Sequence, residues 1–451
     1  MTPAQEKRLG QAFLRSIKSS ETLLSEPFAK QYIEELGKTL VSASGNQQNK
    51  SFNFFILDNP AINAFAGPDG HIGVYTGLIL TTQSESELAA VIAHEIAHVT
   101  QNHLMRAFHN ANQLSLPSAA VLLAAVVLGA AAGGDAALAT AIGGQAALIQ
   151  QQINFTRTNE KEADRIGIQT LFDSSFEPHA MPVFFERMGR ANRAYASELP
   201  EFLRTHPVTT NRIADSLSRA EQHPYKQHQS SLGYHLLKAA LKEESFYKAS
   251  QSEKYFATNL EEGRYRNKTA QQYGLYLSYM RQHKYKDAES ILNQALSEQP
   301  LEAVLLISQA KLYQQTGRPK QAIELLEDSL LVLPGNYPLS LKLAELKLHS
   351  DLADDAIVLL NGQLQLRPDD DEIYRLVAQA YAKKDDKISA HAFQADYMYL
   401  NGQLEPAIQQ LEIALQQKGI DFYQASKLEA KLKAYKQENE QVKADKKLSG
   451  K

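Results

Sequence analysis

The sequence predicts a mainly α, α+β protein in two parts: a metal-site domain with a small antiparallel sheet over residues 1–225, then an all-α repeat solenoid over 226–451. Three observations carry this. His94-Glu95-Ile96-Ala97-His98 lies in an amphipathic helical pattern. Short β-rich runs near residues 52–75 are bounded by turn signals. Downstream, small and aromatic residues recur every 34 positions.

Residues 5–43 read as helical, with Phe13, Ile17, Leu23, Phe28, Tyr32, Ile33 and Leu36 at three- and four-residue spacing. Residues 52–57 read as a strand, followed by a turn at Asp58-Asn59-Pro60 and the run Ile62-Asn63-Ala64-Phe65-Ala66. Gly67-Pro68-Asp69-Gly70 is a turn, and His71–Tyr75 is another strand, which together suggest the antiparallel sheet. A helix then opens at Ser84. Glu87 three residues on makes a capping box, and Leu88, Val91, Ile92 and Ile96 form the apolar face.

Residues 115–149 are apolar and Ala-rich, interrupted by Gly133-Gly134-Asp135. A membrane-spanning helix needs ~20 apolar residues, more than the first run provides. Two readings stand: small-residue helices packed in the core or over the active site, or a hairpin in peripheral contact with a membrane or apolar partner. The first is favoured. Further helices are expected over about 159–172, 178–193 and Thr209 to Ala220, with a loop at Thr205-His206-Pro207. The charged stretch 221–230 reads as the domain boundary.

Beyond it, Pro300, Pro334 and Pro368 are spaced by 34. Ala288, Ala322, Ala356 and Ala390 keep that period, as do Ala310, Ala344 and Ala378, with Tyr276 in the earlier register. Tyr279, Tyr313 and Tyr381 form another column, broken by Lys347. This is the tetratricopeptide pattern. Antiparallel helices approach closely only where side chains are small, and the prolines follow each second helix. An imperfect leading pair is expected over 231–266, a looser pair at about 389–400 and 404–417, and a Lys-rich capping helix and tail over 427–451.

At 451 residues the chain exceeds one ordinary core, and 43% hydrophobic with 22% charged residues fits a globular protein. A net charge of −4 shows no nucleic-acid footprint. With no cysteines, thiolate zinc sites, thiol nucleophiles and disulfides are excluded. Met1 to Lys7 lacks the basic and apolar regions of an export signal, so the chain reads as cytosolic or as one whose signal peptide has been removed.

His94 and His98 are four apart, so on a helix both imidazoles can reach one metal. Beside them, Glu95 can take a proton from an attacking water that zinc has activated and pass it to the leaving amine. A catalytic zinc takes a third protein ligand. Glu160 fits this role, with Asp164 on the same helix face accepting the other N–H of a ligand histidine. His103, five residues past His98, is read as structural or surface-lying, and Glu162 as solvated.

His94–His98, the downstream Glu160-x-x-Ala163-Asp164, Asn63-Ala64-Phe65 and His206-Pro207-x-x-x-x-Arg212 resemble the zinc metallopeptidases related to prenyl-protein endopeptidases and the bacterial heat-shock membrane protease. With the repeats appended, the whole chain is similar to a periplasmic branch of that family. The resemblance implies that His94, His98 and Glu160 hold zinc, that Glu95 is the general base, and that His206 and Arg212 sit beside the metal. It also implies a cleft flanked by residues 63–75, where one strand pairs an extended substrate. The implied setting is quality control of unfolded or stalled outer-membrane proteins, with the repeats docking on the outer-membrane assembly machinery. The chain lacks the expected export signal, and Gly67-Pro68-Asp69-Gly70 is its own departure.

His206 carries two readings: a donor to the oxyanion of the tetrahedral intermediate, or a fourth zinc ligand that holds the enzyme latent. At the level of the whole protein, a repeat-directed endopeptidase competes with a chaperone or scaffold whose protease activity is latent or minor. An integral-membrane prenyl peptidase needs several spans, which this sequence does not offer.

Overall fold

The computed structural model describes residues 2–45, 50–109, 157–194 and 201–449. The apolar stretch 115–149 lies outside them. Among the described residues no helix is long and apolar enough to cross a membrane.

Helix α1 (Pro3–Ser20) starts from a reciprocal cap between Thr2 and Gln5, with Pro3 in its first turn. Its stripe Leu9, Phe13 and Ile17 is fully buried. Helix α2 (Pro27–Ala43) is separate, so the continuous helical region expected over 5–43 is broken. Pro27 disfavours helical backbone in the residue before it. The intervening residues take up strand-like pairing instead. Leu23 bridges Leu57, Leu24 N–H donates to Ile56 O at 2.9 Å, and Asp58 N–H donates to Thr22 O at 2.9 Å.

Strands β1 (Asn53–Leu57), β2 (Ala64–Ala66) and β3 (His71–Tyr75) form a sheet of order β1-β3-β2. It is mixed rather than wholly antiparallel. β2 pairs antiparallel with β3, Phe65 opposite Gly73, as the hairpin expectation requires. β1 pairs parallel with β3, Phe55 opposite Gly73. The connection through residues 58–63 carries the chain past the β3 position, so β3 returns between the two earlier strands. The hairpin turn holds Asp69 at φ 57 and Gly70 at φ 72. A Cβ on Gly70 would lie 1.9 Å from Ser51 O, so only glycine fits.

After α3 (Thr76–Thr81), helix α4 (Glu85–Thr100) is capped by Ser84, whose hydroxyl accepts the Glu87 N–H at 3.3 Å. The second half of the expected capping box is replaced. Glu87 accepts the Gln83 N–H at 2.6 Å and the Arg187 guanidinium at 2.6 and 2.5 Å. Then follow α5 (His103–His109), α6 (Arg157–Asp173), α7 (Ala180–Ala194), α8 (Glu201–Thr205) and α9 (Thr210–Ala220). Gly167 lets the α6 backbone meet α4. A Cβ there would lie 3.3 Å from His94 N and 2.8 Å from Met181 Cε.

The repeats comprise α10 (Leu232–Glu244), α11 (Ala249–Glu261), α12 (Lys268–Arg281), α13 (Tyr285–Glu298), α14 (Ala303–Gln315), α15 (Pro319–Val332), α16 (Tyr337–His349), α17 (Ala353–Leu366), α18 (Asp371–Lys383), α19 (Lys387–Leu400), α20 (Leu404–Leu415) and α21 (Phe422–Ser449). Ala288, Ala310, Ala322, Ala344 and Ala356 are fully buried. Lys347, which interrupts the tyrosine column, is buried and paired with Glu327 at 2.5 Å and Asp355 at 3.4 Å. One compact unit is drawn from Met1–Leu24, Tyr32–Tyr234 and Asp445–Lys451, the other from Ser25–Gln31 and His235–Ala444.

Candidate metal centre

Helix α4 presents His94, Glu95 and His98, α6 presents Glu160 and Asp164, and the turn between α8 and α9 presents His206. All six are buried, as is Arg212 in the first turn of α9. His206 is held by its N–H donating to Phe202 O at 2.8 Å and by its ring stacking on Phe202. Thr209 caps α9 and so fixes the start of the helix that carries Arg212.

His94 Nε2 lies 2.9 Å from His98 Nε2, 3.3 Å from His206 Nδ1 and 3.5 Å from Glu160 Oε2. Glu160 Oε1 is 3.4 Å from His98 Nε2 and 3.2 Å from His206 Nδ1. Ligand atoms of His94, His98, Glu160 and His206 all fall within 4.8 Å of one another. Donors ~2.0–2.1 Å from a tetrahedral zinc stand ~3.3 Å apart, close to these spacings. The charges agree. Three carboxyl groups, Glu95, Glu160 and Asp164, are buried near one buried guanidinium, Arg212, which contacts Glu160 and Asp164, and a divalent cation would balance the remaining negative charge. The residues present therefore fit a metal.

Outside this set, His94 Nδ1 meets Asp164 Oδ1 at 2.9 Å. Arg212 grips Asp164 with a two-pronged contact at 2.8 and 2.7 Å, and its third nitrogen reaches Glu160 at 2.8 Å and Pro207 O at 3.0 Å. Burial opposes charge on Glu160, but His206, His94 and His98 outweigh it and hold the carboxyl well below its usual range. Glu95 is the contrasting case. Burial pushes its carboxyl up, against the pull of His206 and His94. Its oxygens make no hydrogen bond of ordinary geometry, although the backbone of Ala66 in β2 faces it and His206 Nε2 is 3.5 Å from Oε1. A carboxyl with this elevated proton affinity beside an edge strand suits a group that takes and returns a proton.

All the residues singled out from the sequence converge here. Two others need adjusting. His103 is fully buried, with Nδ1 2.8 Å from His98 Nδ1, so of its two expected readings the structural one fits and the surface one does not. Glu162 is not simply solvated, since it lies 3.0 Å from His103 Nε2 and 3.2 Å from Arg106. Helical phase placed His103 off the face, but α4 ends at Thr100. Asn102 at φ 55 then turns the chain back toward it. The signal available was the histidine itself, close behind a metal motif.

The fold and donor set define a metallopeptidase with a helical-repeat extension. Residues 27–220 match the model of peptidase family M48, and residues 279–333 and 315–380 match that of the tetratricopeptide repeat. The chain is 34% identical over 439 residues to the β-barrel assembly-enhancing protease of Escherichia coli, covering 97% of this chain and 89% of that one. It is 32% identical over 438 residues to that of Yersinia pestis, with the same coverage. Over 215 residues it is 29% identical to the mitochondrial metalloendopeptidase OMA1 of Schizosaccharomyces pombe, covering 46% of this chain and 59% of that one. The chain belongs to peptidase family M48, in the branch of the β-barrel assembly-enhancing proteases. It is a metalloendopeptidase whose repeats form a protein-interaction module.

Proposed function

We propose that this chain is a zinc-dependent endopeptidase of the periplasm that cleaves unfolded or stalled outer-membrane proteins. Its catalytic domain spans residues 1–225, and its repeats, residues 226–451, engage the outer-membrane assembly machinery. The observation that carries the reading is the buried donor set of His94, His98 and Glu160 with Glu95 beside it. The names of the bacterial relatives support the substrate class and, through it, the compartment.

His94, His98 and Glu160 would hold the zinc, which when bound would supply Lewis-acid polarisation of the scissile carbonyl and of the attacking water. Glu95 takes the water's proton and delivers it to the leaving amine. Asp164 accepts the His94 Nδ1–H and so points the Nε2 lone pair inward. Arg212 fixes Asp164 and Glu160 together. The β2 edge, whose Ala66 backbone faces Glu95, pairs the substrate as an added strand.

His206 Nδ1 stands among the donors rather than beyond Glu95, which favours the fourth-ligand reading over an oxyanion donor. The resting enzyme is then latent, and partner-dependent displacement of His206 opens the site. The test compares wild type with Glu95→Gln for bound zinc and for casein cleavage. Retained zinc with cleavage lost by about 100-fold or more is expected, whereas a zinc-free wild type or equal cleavage removes the reading. His206→Ala is expected to raise cleavage, and abolished cleavage in that variant sinks the latch.

A further inference from the structure

The two histidines on α4 are oriented by different outer partners. His94 Nδ1 meets a carboxylate directly, Asp164 at 2.9 Å, and Arg212 holds that carboxylate. His98 Nδ1 meets another imidazole, His103 Nδ1 at 2.8 Å. His103 Nε2 meets Glu162 Oε2 at 3.0 Å, and Arg106 holds that carboxylate at 3.2 Å. The second arrangement repeats the first with one ring inserted.

We propose that His103 is a positioning residue for the metal, orienting His98 through a proton-ordered relay that ends on Glu162. The proposal rests on the reading of His98 as a zinc ligand. His98 Nε2 faces His94 Nε2 and Glu160 Oε1, so it is the nitrogen that must present a lone pair. The proton of the neutral ring then sits on Nδ1, and His103 Nδ1 lies in line to accept it. That fixes the second ring too. His103 Nδ1 is bare, so its proton sits on Nε2 and donates to Glu162. One tautomer of each ring satisfies these contacts, whereas the reverse order would point the His98 Nε2–H at the metal face and set a bare His103 Nε2 against the Glu162 carboxylate.

The fold supplies reasons for rigidity. His103 is fully buried, and its ring packs edge-on against His98 with centroids 4.8 Å apart. It opens α5 directly after the αL turn at Asn102, and Arg106 lies one helical turn further on the same segment. Glu162 and Glu160 come from one helix, α6, so the zinc ligand and the end of the relay move together. A neutral imidazole is a weaker acceptor than a carboxylate, so Glu162 at the far end of the relay strengthens the bond that His98 donates.

The test measures zinc affinity of the full chain by competition with a chromophoric chelator, and melting of the metal-free chains. His103→Leu removes the acceptor and is expected to weaken zinc by about 10–100-fold. His103→Gln restores most of the affinity, because its amide accepts from His98 and donates to Glu162. Glu162→Gln weakens zinc by a smaller factor, and combined with His103→Leu it adds no further loss. Metal-free melting that stays near wild type in His103→Gln and Glu162→Gln keeps the comparison free of folding defects. Zinc affinity unchanged in His103→Leu overturns the relay. So does a glutamine variant no better than leucine. His98→Ala is the control: if it binds zinc as tightly as wild type, the metal-site reading fails and the relay falls with it.

Discussion

His71 shows how one buried side chain sets a pH limit. It lies at the start of β3, where Asn53 Nδ2–H donates to its Nδ1 at 3.1 Å. Burial, with the charge of Lys18 adding to it, lowers the imidazole from 6.5 to about 4. The unfolded chain therefore takes up the proton first as pH falls. Stability is full above about pH 6.5 and declines toward pH 4, by about 3 kcal/mol in total. Denaturant titrations of wild type and His71→Gln across this range check the prediction, with a flatter pH slope expected for the variant. None of this was legible in the sequence, where His71 was one residue of a strand. The candidate metal ligands on α4 were legible because His94 and His98 share a helix face at fixed spacing. His103 was not, because its position depends on where α4 stops.

At the scale of elements, the repeats conceal a second period. His283, Gly317, Asp351 and Asp385 all have positive φ and are 34 residues apart. Each ends a first helix, and the next N–H donates back across the turn, as Arg318 N–H does to Tyr313 O at 2.8 Å. Only one of the four is glycine, so the residue types hide the shared backbone. A non-glycine residue there costs ~1 kcal/mol. His283→Gly is expected to stabilise the chain by up to ~1 kcal/mol, and Gly317→Ala, whose new Cβ has nothing within 4 Å, to destabilise it by a similar amount. Thermal melts of both variants give the two signs. The mixed sheet was missed for a related reason. Two strands and a turn specify a hairpin, while the parallel pairing of β1 with β3 is a long-range choice that local turn residues do not encode.

At the scale of the whole molecule, a bound metal is expected to help hold the first unit's centre together. Without it, buried Glu160 and Asp164 share Arg212 as their counter-charge, and buried Glu95 has no such guanidinium or ammonium partner among the described residues. Chelation is expected to abolish cleavage and to lower the melting temperature. Zinc restored at a thousand times its Kd returns ~4 kcal/mol. Calorimetry with and without chelator reads this directly, and a melting curve that chelation leaves unmoved contradicts it. The repeat columns, by contrast, carry their own core, with Ala322, Leu326, Leu339 and Leu343 packed in one cluster and Ala356, Leu360, Ile373 and Leu376 in the next.

By itself the sequence determined the chemistry and the architecture of the parts. His94, Glu95, His98, Glu160 and Asp164 are spaced by helical geometry, and the repeats by a fixed period, so both follow from local rules. Only the tertiary structure decided how His206 and Arg212 close on that site, why His103 and Glu162 stand behind His98, and how β3 comes to lie between β1 and β2. Those depend on segments far apart in the chain meeting in a packed interior. There, burial strips away water and leaves each polar atom to find its partner from whichever helix or turn the fold brings near.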